Sequence, residues 1–199
     1  MILAMLSGGL DSVAMTHLLL KSGQQIHIHH VEIQNQENRA SAETVAVNNV
    51  LNYFRTHDYP KFQYTTSKID CPTLNGKFLY DTDTINFFAG FICSTDAKIK
   101  QVALGMNKTD WNGSLGTRIE RANNILKLFA NVEKIYPVKE YTKPELINLL
   151  PKELAELAWS CRTPVYVDNY ANPCNGCYTC GQLSKMGIVQ NNLRLTQNT

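Results

Sequence analysis

The feature that most limits the fold of this chain is the hexapeptide SGGLDS at positions 7–12, which lies between an apolar run and a stretch with helical spacing. Two adjacent glycines after a strand predict either a tight turn or a backbone that a ligand approaches closely. In the first alternative, Asp11 or Ser12 caps the helix. In the second, the unpaired N–H groups of the loop and the helix start hold an anion, assisted by the helix dipole. The place of the hexapeptide between a strand and a helix favours the second, and we predict a phosphate loop.

The side chains of this loop indicate what accompanies the phosphate. The hydroxyls of Ser7 and Ser12 are additional donors. Asp11 is unfavourable beside a phosphate unless a cation lies between them, which indicates a bound Mg²⁺. The loop lacks the lysine–serine or lysine–threonine ending of a Walker A sequence, so a different kind of nucleotide site is predicted.

Apolar, β-branched runs alternate with stretches of helical spacing along most of the chain. The predicted strands are 2–6, 26–33, 62–66, 101–106 and 134–138. The predicted helices are 11–21, 40–54, 84–97 and 117–130, followed by one or two short helices over 143–157, broken at Pro151. This alternation predicts an α/β fold with a doubly wound, mainly parallel five-stranded sheet, in which ligands bind at the carboxyl ends of the strands.

Composition narrows the class of protein. The net charge of the 199 residues is +2, 44% of them are hydrophobic and 18% are charged, as in an ordinary globular domain. No apolar run approaches the about 20 residues that span a bilayer, and the N-terminus lacks the features of a secretion signal. We therefore expect a cytoplasmic protein without membrane contact. A charge so close to zero also predicts no nucleic-acid partner.

Four of the six cysteines have a spacing that suits a metal site. Cys174, Cys177 and Cys180 form a C-x₂-C-x₂-C pattern, and twelve residues separate Cys161 from the first of them. Neighbouring thiolates at this spacing can face one ion, and a tetrahedral Zn²⁺ site takes four. The same triplet suits an iron–sulfur cluster, and the spacing alone leaves the metal open. We predict a nucleotide-binding domain at 1–158 and a loop-rich, metal-binding lobe at 159–199.

Other polar and sulfur-containing residues have simpler interpretations. Cys93 lies on an apolar helical stretch, which predicts a position in the core, whereas Cys71 precedes a proline in a predicted loop. Glu37, Arg39 and Glu43 follow the second predicted strand, and charged residues at such a place predict a solvated helix start in preference to contact with a substrate or a partner subunit.

Two motifs of the chain are similar to those of a known enzyme family. SGGLDS resembles the SGGxDS signature of the PP-loop ATP pyrophosphatases, which cleave ATP to AMP and pyrophosphate while adenylating an oxygen of the substrate. With the SC…C-x₂-C-x₂-C pattern at the other end, the chain resembles the 7-cyano-7-deazaguanine synthases. LGMNKTDW resembles that family's G-x-N-x-x-D segment, and YPVKEYTKPEL its proline followed by a lysine that opens a helix.

This resemblance implies a fold, a reaction and partners. The fold is a sheet of the HUP and PP-loop type with a small zinc-binding lobe. The reaction converts 7-carboxy-7-deazaguanine and ammonia to the nitrile through an adenylated acid and an adenylated amide, with ATP, Mg²⁺ and Zn²⁺ as cofactors. The implied assembly is a homodimer.

The resemblance also assigns residues to roles. Those implied to hold ATP are Ser7, Gly8, Gly9, Leu10, Asp11, Ser12 and Gly105. Those implied in catalysis are Asp11, Lys143 and Asp110, and those implied to bind the substrate are Asn107, Asp110, Arg118 and Arg121. The implied zinc ligands are Cys161, Cys174, Cys177 and Cys180.

Departures from the family pattern keep other substrates open. Residues 81–84 stand where the family has a proline-x-arginine-asparagine run, and WNGSLGTRIER replaces a YPDCR-like segment, with Arg118 or Arg121 in place of its arginine. An enzyme that adenylates another carboxylate or a base, for amide or conjugate formation or for tRNA thiolation, is the second hypothesis. A zinc-stabilised module that senses ATP without turnover is the third.

Overall fold

Five parallel strands form the centre of the molecule. The structure is a computed structural model, and it describes residues 1–70, 81–111 and 116–195. The strands are β1 (Ile2–Met5), β2 (Ile26–Gln34), β3 (Gln63–Asp70), β4 (Gln101–Ala103) and β5 (Glu133–Ile135). Their order across the sheet is β3-β2-β1-β4-β5, and Ile2 pairs with Ile26 on one side and Gln101 on the other. The predicted α/β class and its five-stranded parallel sheet are confirmed. Cys71 lies outside the described residues.

Helices cover both faces of this sheet. They are α1 (Leu10–Lys21), α2 (Ala40–Thr56), α3 (Asp81–Thr95), α4 (Lys108–Trp111), α5 (Gly116–Lys127), α6 (Lys143–Leu149) and α7 (Lys152–Glu156). Successive side chains of a strand point to opposite faces. Ile2 and Ala4 accordingly pack with α1, α2, α6 and α7, whereas Leu3 and Met5 pack with α3 and α5. The sheet is therefore doubly wound, with one hydrophobic core on each face.

Two details of the predicted helices agree with the structure. The break at Pro151 separates α6 from α7, because Pro151 occupies the N-cap of α7. Cys93 is buried in the core between the sheet and α3, and burial raises the pKa of its thiol to about 11. A buried thiol of this kind packs as a small apolar side chain.

The C-terminal part of the chain is more regular than predicted. It contains β6 (Val165–Val167), β7 (Tyr170–Asn172), α8 (Tyr178–Lys185) and β8 (Leu193–Arg194), and the three strands form an antiparallel sheet. These elements are too short to give a clear periodicity in the sequence. A third apolar cluster, which includes Trp159, Ala171 and Leu193, packs them against Ala42 and Ala46 of α2.

No helix within the described ranges is long and apolar enough to cross a membrane.

Candidate active site and metal centre

The two glycines of the loop between β1 and α1 occupy positions with different structural requirements. Gly8 has a φ of +78°, which strains any other residue, and a Cβ there would lie 3.0 Å from the Cβ of Ala46. Gly9 is the N-cap of α1 and provides no side chain to its first amides. The interpretation in which Asp11 or Ser12 caps α1 is therefore wrong. Because the N-cap residue itself provides no side-chain acceptor, the first turn of this helix is suited to an anion.

Hydroxyl groups surround the same loop. Ser7 and Ser12 place their Oγ atoms 3.1 Å apart, and Ser12 Oγ donates to the carbonyl of Gly9 at 2.9 Å. The N–H of Leu10 donates to Ser160 Oγ at a long 3.4 Å. Ser160 is a residue that the sequence did not indicate, since it lies 150 positions away from the loop it contacts.

Gly105 is required by close packing at the end of β4. A Cβ at this position would lie 2.6 Å from the backbone nitrogen of Ser12 and 2.7 Å from its Cα. Backbone atoms at such a distance cannot move aside without displacing the helix start. Gly105 also lines the cleft described below, so it supports the loop and borders the predicted nucleotide site at once.

Two polar residues from distant parts of the chain donate to Asp11, and one of them also joins it to Asp110. Lys143 Nζ donates to Asp11 Oδ2 at 3.2 Å, and Asn107 Nδ2 donates to the same oxygen at 3.0 Å. Asn107 Nδ2 also donates to Asp110 Oδ2 at 2.7 Å. The pKa of Asp110 is raised, chiefly because burial disfavours its charge and further because Asp11 is close. The structure thus groups the predicted catalytic residues Asp11, Asp110 and Lys143.

The start of α6 explains the position of Lys143. Thr142 is the N-cap, and Glu145 returns a carboxylate to the backbone N–H of Thr142 at 2.7 Å, which completes a capping box. Lys143 is the first residue of the helix and is only 5% exposed. Its ammonium therefore points to Asp11 rather than to bulk solvent.

Asn107 does not occupy the position expected of a substrate ligand. It is 0% exposed, and its amide oxygen accepts the backbone N–H groups of Thr109 and Asp110 at 2.7 and 3.2 Å. Both the nitrogen and the oxygen of its side-chain amide are therefore hydrogen-bonded within the protein, and the residue holds Asp11 and Asp110 in place.

A cleft of about 780 Å³ opens beside these groups at the carboxyl ends of the strands. Ser7, Gly9, Asp11, Asp110 and Lys143 line it. This volume lies in the range of small-molecule sites, and the position is the one expected for a doubly wound sheet.

The two predicted substrate arginines have different surroundings. Arg118 lines the cleft and donates to Thr82 Oγ1 at 3.4 Å. Arg121 forms an ion pair with Asp83 at 2.9 Å, and it is not among the described residues that line the cleft. Of the two, Arg118 is placed to reach a ligand.

A network of buried charges forms another part of the cleft wall. Arg39 contacts the carboxylates of Glu37, Glu43 and Asp81, and Arg162 contacts Glu37 at 2.7 Å and Asp81 at 3.5 Å. The prediction of a solvated helix start here is wrong, because the side chains of Arg39 and Glu43 are each only 12% exposed. The sequence carried no signal for this network, since Asp81 and Arg162 are distant along the chain.

Burial raises the pKa of Glu43 to about 7, even though Arg39 lies 3.0 Å away. The network contains three carboxylates and two guanidinium groups. Protonation of one acid balances these charges, and Glu43 is the most deeply buried of them.

Raising the pH from about 5 to about 7.5 is expected to lower the free energy of unfolding through Glu43. The folded chain retains a proton on this residue that the unfolded chain has lost above about 4.5, so stability falls until the pH passes about 7. A difference of one bound proton changes the free energy of unfolding by at most about 1.4 kcal/mol per pH unit. Urea unfolding of the wild type and Glu43→Gln at both pH values measures this, and an equal slope for the two proteins would contradict it.

The four cysteines meet in the C-terminal lobe. The sulfur atoms of Cys161, Cys174, Cys177 and Cys180 all lie within 4.8 Å of one another, and Cys161 and Cys180 are buried. Zn–S bonds of about 2.3 Å in a tetrahedron place the sulfurs about 3.8 Å apart, so a modest contraction admits one ion. The donor set therefore fits a metal centre held by four thiolates.

The fold, the loop and the cleft together form an α/β domain with a candidate nucleotide site at the carboxyl ends of its strands. In agreement, residues 1–73 match the family model described as "ThiI: Thiamine biosynthesis protein (ThiI)". This segment contains the whole SGGLDS loop. No curated protein is similar enough in sequence to be matched to the chain.

Two solved structures share the fold. One is the U34-tRNA thiolase NcsA from Methanococcus maripaludis with its 4Fe–4S cluster, with a TM-score of 0.55, 16% identity and coverage of 93% of this chain. The other is NMN synthetase from Francisella tularensis, with a TM-score of 0.55, 13% identity and coverage of 94% of this chain and 72% of its own. The chain spans 63% of the length of the thiolase. At these identities the likeness concerns the fold alone.

Proposed function

We propose that this chain is an AMP-forming ligase that adenylates the carboxylate of a 7-deazaguanine acid and transfers the acyl group to ammonia. One observation carries the proposal. Lys143, Asp11 and Asp110 converge beside the first turn of α1, at the wall of one cleft. That arrangement provides donors for a leaving pyrophosphate and an acceptor for a second molecule within a few ångströms of each other.

The first half of the proposed reaction uses the loop. A carboxylate oxygen of the acid attacks the α-phosphorus of ATP, the bond to the bridging β-oxygen breaks, and pyrophosphate leaves with its charge held by the amides of α1. Lys143 is placed to stabilise the charge that develops on the phosphates. The carboxylate of Asp11 is a suitable oxygen ligand for Mg²⁺, which neutralises phosphate charge when it is bound.

Ammonia completes the proposed reaction. Its nitrogen attacks the carbonyl carbon of the acyl adenylate, a proton is lost, and AMP leaves with the former carboxylate oxygen. For the nitrile, the amide oxygen attacks a second ATP in the same manner, and loss of AMP and two protons leaves the carbon–nitrogen triple bond. Acid and amide occupy one pocket in this scheme.

The proposed substrate class rests on Asp110 and on the sequence motifs. A 7-deazaguanine ring presents adjacent N–H donors on its pyrimidine edge, and a carboxylate lining the cleft is a matching acceptor. Arg118, which also lines the cleft, is proposed to contact the acid's own carboxylate. The four-cysteine site is proposed to bind one Zn²⁺ with no open position, which gives it a structural role.

An exchange experiment tests this function. With ATP, Mg²⁺ and 7-carboxy-7-deazaguanine, the protein is expected to exchange labelled pyrophosphate into ATP, and on addition of ammonium to release AMP and pyrophosphate. Mass spectrometry then identifies amide or nitrile, and feeding the amide isolates the second activation. Release of ADP and phosphate would contradict the AMP-forming class. Exchange with another acid or with a tRNA instead would support the second hypothesis.

A further inference from the structure

The segment that leads into the metal centre is attached to the pyrophosphate loop. The N–H of Trp159 donates to the carbonyl of Gly8 at 2.8 Å, and Trp159 is 1% exposed. The next residue, Ser160, accepts the N–H of Leu10, the first residue of α1. Cys161 follows immediately. The two residues that immediately precede Cys161 in the sequence therefore both contact the loop.

Gln190 joins the same segment to a second cysteine. Its side-chain oxygen accepts the backbone N–H of Ser160 at 2.6 Å, and its Nε2 donates to Cys180 Sγ at 3.5 Å. An amide has one acceptor and two donor hydrogens, so this orientation satisfies both of its ends. Donors to a ligating sulfur orient the ligand and stabilise its negative charge.

We infer that Gln190 is a positioning residue that couples the metal centre to the affinity of the loop for ATP. The contacts run from Cys180 through Gln190 to the backbone of Ser160, and from Ser160 Oγ to the N–H of Leu10. Ser160 also lines the cleft, so displacing it moves a hydroxyl group away from the start of α1, where the pyrophosphate is proposed to bind. This inference rests on the proposed function, because it requires that the loop binds ATP and that the cysteines hold an ion.

Gln190→Ala tests the coupling in the full, zinc-loaded chain. ATP dissociation constants measured by calorimetry are expected to rise about three- to tenfold, the effect of losing about one hydrogen bond. The zinc content is expected to stay at that of the wild type. Asn172→Ala is the matched control, since it also removes a hydrogen bond within the lobe, from Asn172 Nδ2 to the carbonyl of Val165, without contact to the loop. Its ATP affinity is expected to be unchanged.

A double-mutant cycle separates a positioning role from general loosening of the lobe. If Gln190 acts through Ser160, then Gln190→Ala has little further effect on ATP affinity once Ser160→Ala is present. Wild-type affinity in Gln190→Ala, effects that multiply in the double variant, or weakening that occurs only with loss of zinc would overturn the inference while the proposed function stands. Failure of the zinc-loaded wild type to bind ATP would instead overturn the proposed function, and the inference with it.

Discussion

Lys143→Met is expected to reduce acid-dependent AMP formation by about 10²- to 10³-fold, the usual effect of removing one preorganised group that stabilises charge in a transition state. Methionine keeps most of the volume of the side chain but removes the ammonium that lies 3.2 Å from Asp11. The ground-state affinity for ATP is expected to change much less, because the loop amides remain. Single-turnover formation of AMP, compared with ATP binding measured by calorimetry, separates the two effects.

Lys139→Met is the matched control for this prediction. Lys139 lies four positions earlier, its side chain is 48% exposed, and its ion pair with Glu140 is long at 3.9 Å. Exposed pairs of this kind contribute little to stability, so this variant is expected to retain full activity. Equal rates for the wild type and Lys143→Met, with both proteins folded, would remove Lys143 from the catalytic machinery.

Cys161→Ala is expected to reduce the zinc content from about one per chain to well below that and to lower the melting temperature by about 10 °C. The lobe from residue 159 onward has about 40 residues, and domains smaller than this usually need a metal or disulfides to be stable. The free energy of metal binding then contributes to the free energy of folding. In a chain of this size, a loss of a few kcal/mol of stability lowers the melting temperature by about 10 °C. Elemental analysis and thermal unfolding followed by circular dichroism measure the two quantities.

Cys93→Ala provides the comparison for the cysteine variant. Cys93 is buried like Cys161 and Cys180, but it lies in the core between the sheet and α3 and belongs to a different apolar cluster. This variant is expected to lose some stability through the small cavity and to keep its zinc. A brown wild-type protein with visible absorption and bound iron would contradict the zinc assignment and favour the sulfur-transfer alternative.

Local patterns in the sequence were sufficient for the sheet and for the loop. The five parallel strands and their helices follow from hydrophobic periodicity, because a strand buried on both faces and a helix with one apolar face have distinct repeats. SGGLDS predicted the loop between β1 and α1, since the residues that form it are contiguous. The grouping of Cys174, Cys177 and Cys180 was equally predictable, because two-residue gaps bring thiolates together wherever the lobe lies, whereas Cys161 joins them across twelve residues.

Contacts between distant residues were decided only by the tertiary structure. The charged network around Arg39 includes Asp81 and Arg162, which no local pattern relates to it, and the same charges on an isolated helix would be solvated. Asn107 was a reasonable ligand by motif, yet packing buries it completely. Ser160 and Gln190 reach the loop and the metal centre only because the lobe folds back onto α2. Sequence determined the elements and their local chemistry, whereas packing decided which side chains share a site, because burial and pairing depend on neighbours that only the folded chain brings together.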